Sequence, residues 1–106
     1  MSEVLSAHGY RVLEATDGLD AIRIARQHGG ALDVLVSDLV MPRMHGTDMF
    51  QQLTQDYLRL RCVFMSGYSE AMVKSELATM PGARVLQKPF TDDVLLRALR
   101  EALTEA

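Results

Sequence analysis

Three chemically active side chains, those of Asp38, Ser66 and Lys88, each stand at the end of a short apolar run. A carboxylate can act as a nucleophile and form an aspartyl phosphate. An ammonium neutralises phosphoryl oxygens, and a hydroxyl donates a hydrogen bond to one of them. Phosphoryl transfer depends mainly on positioning and charge stabilisation, so little else is required of a protein except a metal ion. These residue types predict a site that accepts a phosphoryl group on Asp38.

The elements that must position these groups are three predicted strands. Short apolar runs bounded by turn residues are typical of strands buried on both faces of a parallel sheet. Neighbouring parallel strands end on one rim of the sheet, and open α/β sheets bind ligands beyond that rim. We therefore expect the three side chains to converge there. The predicted strands cover residues 34–36, 61–65 and 84–87.

Strand and helix patterns alternate along the rest of the chain. A short helix is predicted at Ser2–His8 and a further strand at Tyr10–Ala15. Thr47, Ser69 and Thr91 are predicted to cap the helices that follow them. Another helix is predicted over 20–28, and the last helix is expected to bury Leu95, Leu99 and Leu103. The alternation predicts an α/β fold in which helices cover a parallel sheet.

The composition limits the class of protein. A chain of 106 residues is long enough for one domain with its own core. The net charge of −3 gives no electrostatic reason to expect nucleic acid or an anionic membrane as a partner. No transmembrane span or signal peptide is found in the sequence, so a cytoplasmic location is expected. The single cysteine, Cys62, excludes an intrachain disulfide and is interpreted as a buried thiol.

Each candidate site residue has a simpler interpretation when it is taken alone. A strand-end aspartate often caps a loop, a serine beside a glycine is commonly a turn residue, and a lone lysine is usually solvated. Only the coincidence of all three at successive strand ends favours a site. His45 stands beside Gly46 and is interpreted as an exposed loop residue without metal-ligand spacing.

Four motifs occur in a fixed order around these residues. They are Asp17-Gly18, Asp38-Leu39-Val40-Met41-Pro42 with Gly46, Phe64-Met65-Ser66-Gly67-Tyr68, and Leu86-Gln87-Lys88-Pro89-Phe90. Each motif is weak alone, but the ordered set resembles the receiver domain of two-component response regulators. The resemblance covers essentially the whole chain, so residues 1–106 are interpreted as a single receiver domain. The last two motifs are most similar to receivers attached to hybrid sensor histidine kinases.

This resemblance implies a fold and a phosphorelay function. The fold would be a flavodoxin-like parallel sheet of order 2-1-3-4-5 with helices on both faces. Asp38 would accept a phosphoryl group from a phosphohistidine on a sensor histidine kinase or a histidine phosphotransfer protein, with Lys88 and Ser66 assisting. Mg²⁺ would be the cofactor, with Asp38 and the backbone carbonyl of Val40 among its ligands. Such a domain is a signalling module and not an enzyme, with at most weak self-dephosphorylation.

The resemblance also implies a conformational switch. Ser66 would turn toward the phosphate and reshape the surface around the helix Glu70–Thr79 and the strand Arg84–Gln87. The Lys88–Pro89 bond is expected to be cis, which would direct the ammonium toward the site. The residues implied in the switch and its loops are Met41, Pro42, Gly46, Gly67, Tyr68, Val85 and Pro89.

Two departures from the family pattern bear on function. Val85 stands where the family commonly has an aromatic residue that moves with the serine. The first strand and its pair of acidic metal ligands have no counterpart in the sequence, so the domain is interpreted as incomplete at its N-terminus. Phosphorylation is therefore expected to be slow or absent. The sheet is expected either to close beside Tyr10–Ala15 or to pair with a second chain as a homodimer or strand-swapped form.

Two other functions compete with the phosphoacceptor hypothesis. One is a pseudo-receiver that acts as a protein-interaction domain without phosphorylation, which the missing acidic pair favours. The other is an aspartyl-phosphate phosphatase, which needs a second acid two residues after the nucleophile. Val40 stands at that position, so the sequence disfavours the phosphatase.

Overall fold

Three parallel strands form the sheet that carries the candidate site. The computed structural model describes residues 1–41, 44–78 and 80–104. Within these residues the strands lie in the order β1-β2-β3, and the central strand holds the fully buried side chains of Cys62, Val63 and Phe64. The strands are β1 (Val34–Asp38), β2 (Arg61–Ser66) and β3 (Ala83–Gln87). All three predicted strands are thus confirmed.

Helices cover both faces of this sheet, as expected for a flavodoxin-like fold. The described helices are α1 (Ser2–Ala7), α2 (Gly18–His28), α3 (Gly46–Asp56), α4 (Glu70–Leu77) and α5 (Asp92–Thr104). On one face, α2, α3 and α4 pack around Phe50 and Phe64. On the other face, α1 and α5 pack around Val63, Leu95 and Leu99. Each face therefore has its own apolar cluster, and the outward polar stripes of the helices face solvent.

The helix caps show where local sequence signals were sufficient. Ser69 accepts a hydrogen bond from the Met72 backbone N–H at 3.3 Å, as predicted. Thr91 likewise accepts from the backbone N–H of Val94 at 3.3 Å. The predicted Thr47 cap is wrong, because α3 begins at Gly46, two residues earlier than a Thr47 cap implies, and His45 is its cap. The helix predicted from Glu70 ends at Leu77, and Thr79 lies outside the described residues.

The segment Tyr10–Ala15 is the main correction to the predicted fold, because it is not a strand. Tyr10 and Val12 are partly buried against the cluster formed with α5. The segment thus packs against the core through these side chains without joining the sheet. A strand also needs a backbone partner, and among the described residues β1 pairs only with β2. The expected closure of the sheet beside this segment is thus wrong for this structure.

The buried face of α5 is rotated from the predicted one. Leu95 and Leu99 are buried, but Leu103 is 39% exposed, and Ala102 is buried in its place. Eight helical residues advance about 80° beyond two full turns, whereas seven residues return almost to the starting direction.

Among the described residues, no helix combines the length and the apolar character that crossing a membrane requires.

Candidate functional site

Asp38 and Lys88 meet at the carboxyl ends of the strands. Asp38 is the last residue of β1, and Lys88 follows β3 directly. Lys88 Nζ lies 2.6 Å from Asp38 Oδ1, with the two side chains 48% and 45% exposed. The side chains reach each other across the end of β2, which lies between their strands. The predicted convergence of these two residues is therefore present in the structure.

The Asp38 carboxylate has one oxygen turned away from solvent. Oδ1 is shielded from water and accepts no well-directed hydrogen bond within the described part of the chain. Its close contact with Lys88 Nζ is consequently an ion pair held by charge and distance. A half-exposed pair of this kind contributes about 0–1 kcal/mol to stability. The carboxylate thus combines a neutralising cation with open access, which suits an acceptor of a charged group.

Ser66 lies at the adjacent strand end, where its side chain is buried. It is the last residue of β2, and its carbonyl accepts a hydrogen bond from the Lys88 backbone N–H at 2.7 Å. Ser66 Oγ accepts a hydrogen bond from the Tyr68 backbone N–H at 2.9 Å. A hydroxyl that accepts one bond still has its proton to donate. Rotation of this side chain would move that donor and release the Tyr68 N–H at the same time.

The loop that follows Asp38 is tied to the sheet by backbone contacts. Leu39 donates a hydrogen bond from its N–H to the Met65 carbonyl at 2.9 Å. The Gly46 N–H then donates to the Leu39 carbonyl at 2.8 Å. A Cβ atom at Gly46 would stand 2.6 Å from the Asp38 carbonyl oxygen, which is closer than real Cβ atoms come. Glycine is therefore required at this position by the close approach of two backbones.

The remaining residues implied in the switch take diverse positions. Met41 Sδ lies 3.5 Å from Ser37 Oγ, which donates to it. Tyr68 is exposed, and Gly67 has open space beside its Cα. Val85 is partly buried beneath α4, in the same cluster as Phe64. The Lys88–Pro89 peptide bond is cis, as expected. Pro42 lies outside the described residues.

His45 lies in the loop before α3, as interpreted, but its side chain is only 34% exposed and makes two contacts that the sequence did not predict. Its Nδ1 atom accepts a hydrogen bond from the Thr47 backbone N–H at 3.3 Å, which caps α3. Its Nε2 atom lies 3.6 Å from Glu76 Oε1 on α4. Sequence analysis missed this role because serine, threonine, aspartate and asparagine are the preferred caps, and histidine is not. Its place just before the first residue of α3 was the available signal.

The donor set available for a metal ion is small. The Asp38 carboxylate at the end of β1 is one donor, and the carbonyl of Val40 is a second only by the family resemblance. The described residues contain no group of three or more histidine, cysteine, aspartate or glutamate side chains that could hold a metal. Mg²⁺ in phosphoryl-transfer sites is usually held by one or two carboxylates together with phosphate and water. These residues therefore do not by themselves fit a strong Mg²⁺ site.

The Cys62 thiol is not suited to the chemistry of the candidate site. Its side chain is fully buried in the middle of β2, and burial raises the pKa of the thiol well above its ordinary value. A thiol that stays protonated is a poor nucleophile and a poor metal ligand. The prediction of a buried thiol is confirmed.

Comparison with known proteins gives a consistent set of relatives. The family model of the response regulator receiver domain matches residues 1–100. The chain is 34% identical over 99 residues to sensor kinase CckA of Brucella abortus, covering 93% of this chain but only 10% of the kinase. It is also 30% identical over 105 residues to protein PilH of Pseudomonas aeruginosa, covering 97% of this chain and 85% of PilH.

Solved structures agree with these sequence relatives. The crystal structure of the receiver domain from hybrid histidine kinase CckA has a TM-score of 0.81 at 30% identity, and the match covers 97% of this chain and 85% of that one. Chemotaxis protein CheY4 of Vibrio cholerae has a TM-score of 0.85 at 28% identity, with 96% of this chain and 85% of that one covered. The same three-strand core with its helices is therefore present in these proteins.

Proposed function

We propose that this chain, which belongs to the response regulator receiver domain family, accepts a phosphoryl group on Asp38 in a two-component phosphorelay. The family membership and the flavodoxin-like fold agree with the resemblance found in the sequence. The observation that carries the proposal is the ion pair at 2.6 Å between Lys88 Nζ and Asp38 Oδ1 at the strand ends. A carboxylate beside a cation, at the rim where open α/β sheets bind ligands, supports the proposal.

The proposed reaction is transfer from a phosphohistidine. An Asp38 oxygen attacks phosphorus, a P–O bond forms, and the P–N bond to the donor imidazole breaks. The electron pair of that bond returns to the imidazole nitrogen, which takes up a proton from water. Lys88 neutralises charge on the phosphoryl oxygens, and Ser66 turns to donate its hydroxyl proton to one of them. The product is an aspartyl phosphate on Asp38.

The phosphodonor is proposed to be a sensor histidine kinase or a histidine phosphotransfer protein. In support, curated relatives of this chain include sensor kinases, of which it spans about a tenth of the length. A receiver that is part of a sensor kinase would exchange phosphate with histidine-bearing domains. The kinase activity of those complete proteins is not assigned to this chain.

Receiver domains bind Mg²⁺ at the phosphorylation site. In this chain, the Asp38 carboxylate and the Val40 carbonyl would be the contacting groups. A phosphoryl dianion that approaches Asp38 with only Lys88 for neutralisation meets electrostatic opposition. We therefore propose that phosphorylation of these 106 residues alone is slow.

The conformational response is proposed to follow Ser66. Its rotation toward a phosphoryl group would break the bond from the Tyr68 N–H and let the loop before α4 move. Val85 lies beneath α4, and its side chain is smaller than the aromatic residues common in the family. The response of the surface formed by α4 and β3 is therefore proposed to be weaker than in relatives with an aromatic residue.

A pseudo-receiver function is the second candidate, and the small metal donor set favours it. Such a domain would act through protein contact without phosphorylation. The outer edge of β1 has no backbone partner among the described strands, and such edges pair readily with a second chain. A homodimer or strand-swapped form is therefore proposed for this case.

The experiment that separates the two candidates uses phosphoramidate, whose P–N bond is analogous to that of phosphohistidine. The chain is compared with a version extended by an upstream strand that carries two acidic residues, both with Mg²⁺, and intact mass is measured. Faster gain of one phosphoryl group in the extended version, absent from its Asp38→Asn variant, supports the phosphoacceptor. No gain in either version favours the pseudo-receiver.

A further inference from the structure

His45 contacts two elements that border the candidate site. It precedes α3, and its Nδ1 atom accepts from the Thr47 N–H at 3.3 Å and lies 2.9 Å from Thr47 Oγ1. Its Nε2 atom lies 3.6 Å from Oε1 of Glu76, which is on α4. Both side chains are only partly exposed. One imidazole thus joins the start of α3 to the body of α4.

The two partners of His45 lie on α3 and α4, the helices that follow the loops after Asp38 and Ser66. His45 directly precedes Gly46, whose N–H donates to the Leu39 carbonyl and whose Cα lies against the Asp38 carbonyl. The loop after Asp38 therefore cannot shift far without moving His45. Glu76 is on the helix capped by Ser69, directly after the loop held by the Ser66–Tyr68 hydrogen bond. The His45–Glu76 contact consequently closes a ring of contacts around the site.

We propose that His45 is a positioning residue that holds the loop following Asp38 against α4 through Glu76. The link gives α4 a second connection to Asp38, separate from the Ser66 and Val85 connection. Its meaning for signalling rests on the proposed phosphoacceptor function. Its physical basis is the contact itself, which can be tested without phosphorylation.

The imidazole can serve both partners at once in its neutral form. When Nδ1 accepts from the Thr47 N–H, the neutral ring carries its proton on Nε2, which lies toward Glu76. The Glu76 carboxylate only accepts, so a proton on Nε2 suits this contact.

The test measures amide hydrogen exchange of α4 at a single pH, corrected for intrinsic rates. The variants are Glu76→Gln and His45→Asn, the second of which keeps a good cap for α3 but cannot reach Glu76. Each is expected to speed exchange in α4 about two- to fivefold, as removal of a partly exposed polar contact would. The double variant should exchange no faster than either single one.

The control is Asp56→Asn, which removes another exposed ion pair, with Arg26 at 3.7 Å, between α2 and α3. It should leave α4 exchange unchanged. Unchanged α4 exchange in both Glu76→Gln and His45→Asn would overturn the link. An equal effect of Asp56→Asn would overturn it as well.

A second arm uses the phosphorylated chain, with incorporation followed by intact mass. The wild type and Glu76→Gln are first matched for equal incorporation. If phosphorylation then changes α4 exchange less in the variant than in the wild type, the link connects α4 to Asp38. An equal change in both contradicts it. Absence of incorporation everywhere counts against the phosphoacceptor function alone, and the unphosphorylated comparison then decides the link.

Discussion

The ammonium of Lys88 lies 2.6 Å from Oδ1 of Asp38, although their strands are separated in the sheet by β2. Parallel register explains this contact: Asp38 is paired with Met65, and Ser66 is paired with Gln87, so the three strands end nearly level. The two side chains then extend over the end of β2. The Lys88 ammonium thus lies beside the Asp38 carboxylate. A half-exposed ion pair adds little to stability, so we expect Lys88 to affect mainly the reactivity of Asp38.

The first prediction concerns Lys88 and separates its effect on phosphorylation from its effect on stability. Lys88→Met keeps the length of the side chain but removes its charge, so phosphoryl oxygens lose their neutralising partner. We expect at least about tenfold slower phosphorylation of the strand-extended version and a change in unfolding free energy of about 1 kcal/mol or less. Intact mass over time and urea denaturation measure the two effects. Lys74→Met, which changes an exposed residue of α4, is the control and should alter neither the rate nor the stability. An unaffected rate in Lys88→Met would remove Lys88 from the mechanism.

Gly46 provides a prediction about the backbone near Asp38. Gly46→Ala would place a methyl group 2.6 Å from the Asp38 carbonyl oxygen and 2.9 Å from that of Leu39. We expect destabilisation of about 1–3 kcal/mol, despite the general preference of helices for alanine. Urea denaturation measures the loss. Gly67→Ala is the matched control, because nothing lies within 4 Å of its added methyl group. Equal stability of the wild type and Gly46→Ala would show that the close approach is absent.

Asp20 predicts a specific dependence of stability on pH. Its carboxylate accepts hydrogen bonds from the Thr16 backbone N–H and from Arg23, and these bonds lower the pKa of Asp20. Since the pKa is lower in the folded state, the contribution to stability is present above the ordinary aspartate pKa of about 4 and is lost as the pH falls below it. Asp20→Asn should thus be less stable than the wild type at pH 7, with the difference shrinking toward pH 3.

Thermal unfolding at several pH values measures this effect. The control is Glu14→Gln, which removes a negative charge from an exposed residue in the preceding segment. It should not show the same loss at pH 7. A difference between the wild type and Asp20→Asn that stays constant from pH 7 to pH 3 would contradict the assigned cause.

Cys62 predicts slow thiol chemistry in the native state. Burial raises the pKa of its thiol, so both access and thiolate formation are suppressed. At pH 8 we expect little labelling by iodoacetamide in buffer and rapid labelling in 6–8 M urea, which is about the range that unfolds small domains. Mass spectrometry follows the label. Rapid labelling of the folded chain would mean that β2 is not buried as described.

The convergence of Asp38 and Lys88, with Ser66 at the strand end between them, was predictable because each residue ends or directly follows a strand whose apolar run is unambiguous. Tyr10–Ala15 was not predictable in the same way. Its residues read as a strand, but a pattern within one segment contains no information about a backbone partner elsewhere. The sequence therefore could not show whether this segment pairs with the sheet.

The roles of Gly46 and His45 show a second limit of sequence patterns. The family motif pointed to Gly46, but the reason for glycine, a backbone carbonyl 2.6 Å from its missing Cβ, required coordinates. His45 was missed because its contact with Glu76 joins two helices that are distant along the chain. Local cap preferences cannot report such contacts. The same limit applies to Leu103, where strict four-residue spacing overlooked the rotation of the helix.

The most direct test of the account is to locate the phosphoryl group itself. The chain and its strand-extended version are incubated with acetyl phosphate and Mg²⁺, measured by intact mass, and treated with borohydride, which reduces an aspartyl phosphate to homoserine at the modified position. We predict one phosphoryl group, mapped to residue 38, slow in the chain and faster in the extended version, and absent from both Asp38→Asn variants. A phosphoryl group that persists in an Asp38→Asn variant, or that maps to another residue, would contradict the central claim.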